Sequence, residues 1–287
     1  MYVFKRLCTR WLTVMVLGTL LVQARPAKAQ SASDIINTMV QTCRQLRTLS
    51  YVQEKWERVN GEMYYEKMYV KLQRNPFKVY IKQYHPREGL EILYAPGWND
   101  GEAKVNAGQW VPNLNLDING SRMRENQHHN VATSGFDHLV DIFEHLKQKY
   151  GTGDGKMQYA GVEVVNGRPC YVIKMNNPNF QMERYIVQNG ENLISIAQKL
   201  HLSEYMILIN NPEVDHYWDV SSGQAIRIPS DYGKRAEIYI DKITNVPMKV
   251  LVYDDRGLFE KYVYDRMKIN PSFSSQTFSP ENDAYGF

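Results

Sequence analysis

The stretch YYEKMYVKLQ, residues 64–73, alternates with period two: Tyr64, Glu66, Met68, Val70 and Leu72 share one face, and Tyr65, Lys67, Tyr69, Lys71 and Gln73 share the other. A drier and a wetter face on one strand is the pattern of antiparallel sheet. Lys78 to Tyr84 repeats it after a break at Asn75-Pro76. Further strands are expected at Gly161–Val165, Pro169–Met175, Ala236–Ile243, Met248–Tyr253 and Leu258–Ile269, with Asp254-Asp255-Arg256-Gly257 as a hairpin loop joining the last two. Twenty tyrosines against nine phenylalanines agree, because aromatic side chains suit a pleated surface. Two amphipathic helices accompany the strands. One runs Ser33–Leu49, capped by Ser33 or Asp34, with Ile35, Ile36, Met39, Val40, Cys43 and Leu46 on one face. The other runs Phe136–Tyr150 and is stopped by Gly151–Gly155. Between Pro86 and Gly135 the turn signals mark only short strands or loops. The fold class is α+β, mainly antiparallel β.

The first 29 residues stand outside this pattern. Lys5, Arg6 and Arg10 precede an apolar run from Trp11 to Val22, and Ala27-Lys28-Ala29 places small residues where a signal peptidase reads. The run is too short to span a bilayer comfortably, so residues 1–29 are expected to be a removed signal peptide; a retained anchor is the alternative. Removal takes away five basic residues and no acidic one. The thirty-four basic residues fall to twenty-nine against thirty-one acidic, a formal charge of −2. Nothing then points to nucleic acid, and the mature chain is not expected to be an integral membrane protein. Two cysteines remain, Cys43 and Cys170. In an exported chain they are a disulfide candidate, tying the first helix to a strand, with two buried free thiols as the alternative.

Between Met182 and Lys234 the period changes from two to 3.6 and back. Tyr185-Ile186-Val187-Gln188 reads as a strand and Asn189-Gly190-Glu191 as a turn. Asn192 caps a helix with Leu193, Ile196, Ala197 and Leu200 on one face, and Ser203 caps a second with Met206, Ile207 and Ile209. Asn210-Asn211-Pro212 ends that helix, and Ala225–Pro229 is a closing strand. The motifs Y-x-V-x-x-G-E-N-L-x-x-I-A, I-N-N-P and G-Q-x-I-x-I-P resemble, in order and spacing, the LysM family of small βααβ modules. Glu191 and Asn192 stand where that family usually has Asp and Thr or Ser. The resemblance implies binding of N-acetylglucosamine-containing glycan, hence peptidoglycan, by Gly190, Glu191, Asn192, Leu193, Asn211, Pro212 and Glu213. A spacer that no longer binds is the alternative.

The implied organisation is a signal peptide over 1–29, a host domain over 30–183 and 232–287, and an inserted module over 184–231. The host's closing stretch, from Y-I-D-K-I-T-N-V-P through K-I-N-P-S-F to N-D-A-Y-G-F, resembles a family of uncharacterised exported bacterial proteins, DUF1571-like. E-G-L-E-I-L-Y at 88–94 and G-R-P-C-Y-V-I at 167–173 agree. That family is similar to the LolA-like lipoprotein carriers, which implies an incomplete barrel with helices against its concave face. Such a face is either hollow, holding a lipid, lipoprotein or other apolar ligand, or filled by the two helices.

His138, Asp141 and His145 have helical spacing compatible with a metal site, but with Gln148 they read better as a solvated stripe. His128-His129 is expected at the surface, and Asp254-Asp255 is a turn before it is a dyad. No nucleophile elbow, P-loop or HExxH accompanies them. No catalytic residue, metal or cofactor is therefore assigned. The expectation is a non-enzymatic protein of the periplasm or cell envelope, bound to the wall. An envelope enzyme targeted by LysM and a purely structural wall-binding protein are the alternatives. N-terminal sequencing of envelope-derived protein is expected to begin at or near Gln30; a retained Met1 terminus would refute signal removal.

Overall fold

The computed structural model describes residues 31–108, 111–150 and 157–287. The expected signal peptide and the expected helix stop at Gly151–Gly155 lie outside the described residues. In chain order the elements are α1 (Ala32–Gln45), β1 (Thr48–Val59), β2 (Glu62–Arg74), β3 (Phe77–His85), β4 (Glu91–Tyr94), β5 (Ala103–Asn106) and β6 (Leu114–Leu116). There follow α2 (Ser121–Arg124), α3 (Asp137–Tyr150), β7 (Met157–Val165), β8 (Arg168–Asn176), β9 (Met182–Ile186), α4 (Leu193–Leu200) and α5 (Glu204–Ile209). Strands β10 (Ala225–Pro229), β11 (Arg235–Asp241), β12 (Pro247–Asp254) and β13 (Gly257–Ile269) complete the chain.

Eleven strands form one antiparallel sheet in the order β6-β5-β4-β3-β2-β1-β13-β12-β11-β8-β7, whose end strands do not pair with each other. Residues from β3 (Ile81) and β8 (Met175), six strand spacings apart, nevertheless line one cavity. On a flat sheet they would lie about 29 Å apart at the usual ~4.8 Å spacing, so the sheet curls. Its inner face carries Leu49, Tyr51, Val70, Leu72, Val79, Ile238, Val250 and Val252, packed against Ile35, Met39 and Cys43 of α1 and Val140 and Phe143 of α3. The alternation read in residues 64–73 therefore places Met68, Val70 and Leu72 in the core as expected.

α1 begins earlier and ends earlier than its periodicity suggests. Ser31, rather than Ser33 or Asp34, is the N-cap: its hydroxyl accepts from Asp34 N at 3.1 Å, and the Asp34 carboxylate accepts from Ser31 N at 3.4 Å. The other end is set from a distance. The Arg74 guanidinium of β2 donates to the carbonyls of Cys43, Arg44 and Leu46 at 3.1, 2.8 and 2.6 Å, satisfying the helix's last acceptors. It also pairs with Asp137 at the start of α3 (2.8 Å from Nε).

β8 and β11 pair directly, Ile173 opposite Ile238. Residues 177–234 leave and re-enter at one end of that pair, where Asn177 N donates to Lys234 O at 2.8 Å. Within this excursion β9 and β10 form a separate two-stranded ladder, and Val187, Leu193, Ile196, Ala197, Ile207, Ile226 and Ile228 form a cluster of their own. The excursion is not merely tethered. Tyr205 and Met206 of α5 turn away from that cluster into the main core, and the Tyr205 hydroxyl accepts from Asn60 N at 2.9 Å.

The disulfide expectation is corrected. Both cysteines are free and buried. Cys43 belongs to the inner core, whereas Cys170 packs with Val165, Val172, Tyr239 and Met248 on the opposite face of the sheet. Strand parity decides this, because Ile173 faces inward and Cys170, three residues away, must face outward. Burial pushes the Cys43 thiol up to about 12 and the Cys170 thiol up to about 11, so neither is a reactive thiolate. Labelling of unreduced, denatured mature protein is expected to find two thiols per chain, with almost none reacting in the native state; zero thiols would restore the bond.

Candidate functional site: an inner-face cavity over buried charges

Three positions in the middle of β1 break its inner face. Leu49, Tyr51 and Val59 point into the core, and in phase between them come Gln53, Lys55 and Glu57. Lys55 is 7% exposed and Glu57 2%. β13, paired to β1, contributes Glu260, 1% exposed, and Tyr262. Burying such groups is tolerable only if each is paired and hydrogen-bonded, and they are. Lys55 Nζ lies 3.0 Å from Glu66 and 3.3 Å from Glu57 and donates to Gln127 Oε1 at 3.0 Å. Glu57 also accepts from Tyr262 OH at 2.6 Å and from His128 N at 3.0 Å. Glu260 accepts from Tyr232 OH at 3.0 Å and from His128 Nδ1 at 2.8 Å. His128 Nε2 lies 3.0 Å from Arg58 O, and its ring stacks between Tyr205 and Phe259 at 4.4 and 4.2 Å.

The cluster continues into α5. Glu204 accepts from Arg124 at 3.0 Å and sits 3.6 Å from His129 Nδ1, while His129 Nε2 is 2.8 Å from the Tyr232 hydroxyl. Arg124 in turn covers the Tyr217 ring at 4.2 Å. Burial disfavours a charge on His129, but the Glu204 and Glu260 carboxylates outweigh it and raise the imidazole to about 10. Burial works against Glu204 likewise, yet His129 and Arg124 hold it down at about 2. Glu57 and Glu260 are also held below the ordinary carboxylate range: burial opposes this in both, and Lys55 outweighs it at Glu57 as His128 and His129 do at Glu260.

Above these charges lies a cavity of about 180 Å³ between the sheet and α3. Leu139, Ile142, Phe143 and Leu146 of α3 form one wall, and Ile238, Val250 and Val252 another; Lys55, Glu57, His129, Tyr232, Glu260 and Tyr262 form its polar floor. His138 borders both this cavity and a second cleft, lined also by Asp137, Asp141, Ile194, Gln198 and His201. The His138 ring stands 5.0 Å from that of His129. Burial, reinforced by the neighbouring His129 cation, lowers it to about 4 and keeps it neutral.

One expectation about histidines is thereby overturned, and a second holds except at His138. His128-His129 is not at the surface: His128 is fully buried, and the His129 side chain is 12% exposed. The loop that carries them is drawn under α5 by acids on strands far away in sequence. On the face of α3, Asp141 and Gln148 are solvated as expected, Asp141 in a surface ion pair with Arg44 at 2.5 Å, whereas the His138 ring nitrogen Nε2 is buried. His145 stacks on His201 at 4.7 Å, away from His138. Asp254 is buried and paired with Arg58, a structural role. Among the described residues no group of His, Cys, Asp or Glu side chains is placed to hold a metal ion, and no helix is long and apolar enough to cross a membrane.

The seven residues expected to bind glycan separate into two kinds. Gly190, Pro212 and Glu213 are exposed, and Gly190 has φ 78°, the left-handed conformation that its turn requires. Glu191 is occupied by Tyr185 OH at 2.8 Å, Gln188 N at 2.9 Å and Lys199 Nζ at 2.9 Å. Asn192 forms a capping box with Ser195. The Leu193 side chain is wholly buried, and its N–H is spent on Tyr217 O at 2.9 Å. Asn211, 1% exposed, donates to Ile207 O and Arg227 O at 2.7 and 2.8 Å and accepts from Arg227 N at 2.7 Å. It staples α5 to β10.

A curled antiparallel sheet, two covering helices and a cavity floored by buried charges thus define an α+β protein with an internal pocket. The chain belongs to the DUF1571 family, described as a protein of unknown function, which matches residues 48–200 and 218–287. Residues 201–217, which include α5, fall in the gap of that match. No curated protein matches by sequence. Among solved structures, the chain is similar to the lipoprotein LppX of Mycobacterium tuberculosis, with 13% identity over 85% of this chain and 97% of that one and a TM-score of 0.41. A LolA superfamily protein from Nitrosomonas europaea aligns at 11% identity, 87% and 97% coverage and TM-score 0.33. The MucA/MucB complex of Pseudomonas aeruginosa aligns at 13%, covering 86% of this chain and 60% of that one, with TM-score 0.40. Superpositions this loose carry no argument about function.

The buried pairs predict a pH profile. A depressed Glu204 contributes stability that is complete above about pH 4.5 and is lost as pH falls toward about 2; a raised His129 contributes stability complete below about pH 6.5 and lost as pH rises through about 10. Thermal melts should therefore be flat between these limits and fall on both sides. Glu204→Gln, which strands Arg124 and His129, should cost about 3–5 kcal/mol at neutral pH and shrink both limbs, the remainder coming from Glu57 and Glu260. A variant with wild-type stability would show the pairs to be inconsequential.

Proposed function

We propose that this is an exported envelope protein, akin to LolA-like carriers, whose inner-face cavity holds an apolar chain: the acyl part of a lipid or lipoprotein. The observation that carries the reading is the space left beneath α3. Two amphipathic helices cover the inner face, yet about 180 Å³ stays open against a wall of Leu, Ile and Phe side chains. That exceeds the ~150 Å³ apolar void known to admit benzene and falls below the ~300–1,000 Å³ of pockets for drug-sized ligands. A short chain or the end of a longer one fits, and each methylene buried contributes roughly 0.8 kcal/mol. The reading is non-enzymatic; an envelope enzyme or a purely structural wall protein are the alternatives.

We further propose that residues 184–231 are a LysM-type module that binds N-acetylglucosamine glycan in peptidoglycan. The βααβ order and the exposed turn at Gly190 support it. With Asn211 and the Leu193 side chain committed to packing, sugar contacts would fall to the backbone around Gly190, to Pro212 and Glu213, and to Trp218, which is 44% exposed. Because α5 packs into the main core, the binding test uses the whole chain rather than the isolated segment.

Mass spectrometry of an organic extract of natively purified protein is expected to show a stoichiometric acyl lipid or lipopeptide, and Ile142→Trp, which fills the cavity, should remove it. An extract free of apolar ligand, together with no uptake of added lipid, would refute the carrier reading. Separately, whole protein should co-sediment with purified peptidoglycan, and Trp218→Ala, at an exposed side chain, should weaken this several-fold while the melting temperature holds. Failure to sediment at any salt concentration would leave the segment a spacer.

A further inference from the structure

We propose that the cavity selects acyl chains with an uncharged oxygen head, an ester carbonyl or a hydroxyl, which hydrogen-bonds to His138 Nε2. This rests on the reading of the cavity as an apolar-chain site and adds what the head of the chain must be.

The first observation is an orphan. His138 Nε2 is buried and has no hydrogen-bond partner; the other such atoms among the described residues, His129 Nδ1 and Arg124 Nε and Nη1, belong to cations already held in ion pairs. A buried polar atom gains about 1–3 kcal/mol from a partner, and His138 lines the cavity wall, so an oxygen brought there by a ligand is favoured. Leu139, Ile142, Phe143 and Leu146 continue from His138 along the same wall. Eight residues of helix rise about 12 Å, so a chain with its head at His138 can lie along this stripe.

The second observation concerns charge. The floor holds Glu57 and Glu260, and its cations Lys55 and His129 are already ion-paired with them or with Glu66 and Glu204. An anionic head, such as a free carboxylate or phosphate, would enter beside the Glu57 and Glu260 carboxylates, where Lys55 and His129 already balance acids in ion pairs. A cationic head would face paired acids and the His129 cation. Either would be a buried, uncompensated charge. An uncharged oxygen avoids both costs and satisfies the orphan nitrogen. The low pKa of His138 agrees, since a neutral ring can meet an ester or hydroxyl without bringing a further charge.

The test compares three probes of one chain length on the mature full-length protein: methyl octanoate, octane and octanoate at pH 8. Calorimetric titration should show the ester binding about three- to tenfold tighter than octane, the worth of one neutral hydrogen bond, and octanoate binding more weakly than both. His138→Phe should bind octane as the wild type does and lose the ester preference; His138→Gln, which restores a donor and acceptor, should regain it. Independently of how the variants fold, the imidazole nitrogen resonance of His138 should move with ester and not with octane. An ester preference that survives His138→Phe, octanoate binding as tight as ester, or an unmoved His138 resonance overturns the assignment while leaving the cavity an apolar-chain site. If no probe binds, the carrier reading falls and the head-group assignment with it.

Discussion

The fold turns on a chain of buried charges that crosses the inner face of the sheet. Lys55 and Glu57 of β1, Glu260 of β13, His128 and His129 of the connecting loop and Glu204 of α5 form one continuous set of pairs. Each member is affordable only because the next is present. Removing one strands its neighbours in a medium where an unpaired charge costs several kcal/mol. The set joins the two central strands, the long loop and the 177–234 excursion, which hydrophobic packing alone would leave free to slide. Directional pairs specify one arrangement among many of similar apolar burial.

Much of the scaffold was legible in the residues because it is written locally. Alternation in 64–73 and 78–84, the stripe of Phe136–Tyr150 and the capping residues Asn192 and Ser203 each declare a strand or helix within a few positions. The charged floor was not read. Its signal was present: between Leu49 and Val59 the inward positions are Gln53, Lys55 and Glu57, polar residues in phase with a core pattern. Their partners lie as far as 205 residues away, so the sequence alone gives the anomaly without its resolution. His128 and His129 illustrate the same limit, since two histidines in a polar loop look exposed until distant acids bury them. Cys170 failed for a simpler reason. Counting cysteines ignores parity, and one residue decides which side of a sheet a thiol occupies.

Residues expected to line a glycan groove prove to include several that hold the 182–229 elements together. Asn211 and Leu193 are informative here. A motif records which side chains recur at a site, and it does not separate those that touch a ligand from those that position the loops. Likewise α5 serves two cores at once, Ile207 on one side and Tyr205 and Met206 on the other. A segment with the element order of a small autonomous module is here partly load-sharing with the sheet beneath it.

The pairing of β1 with β13 also sets a clock. Glu57 and Tyr262, hydrogen-bonded across the central pair, are 205 residues apart. At roughly 5–20 residues per second of synthesis, about 10–40 s separate the emergence of one from that of the other. During that interval β1 lacks one of its two neighbours, and Lys55 and Glu57 have no reason to leave water. Sheets dominated by such distant contacts fold slowly. The chain is therefore a late folder whose inner face, polar in the middle of β1, stays hydrated until its last strand, β13, arrives.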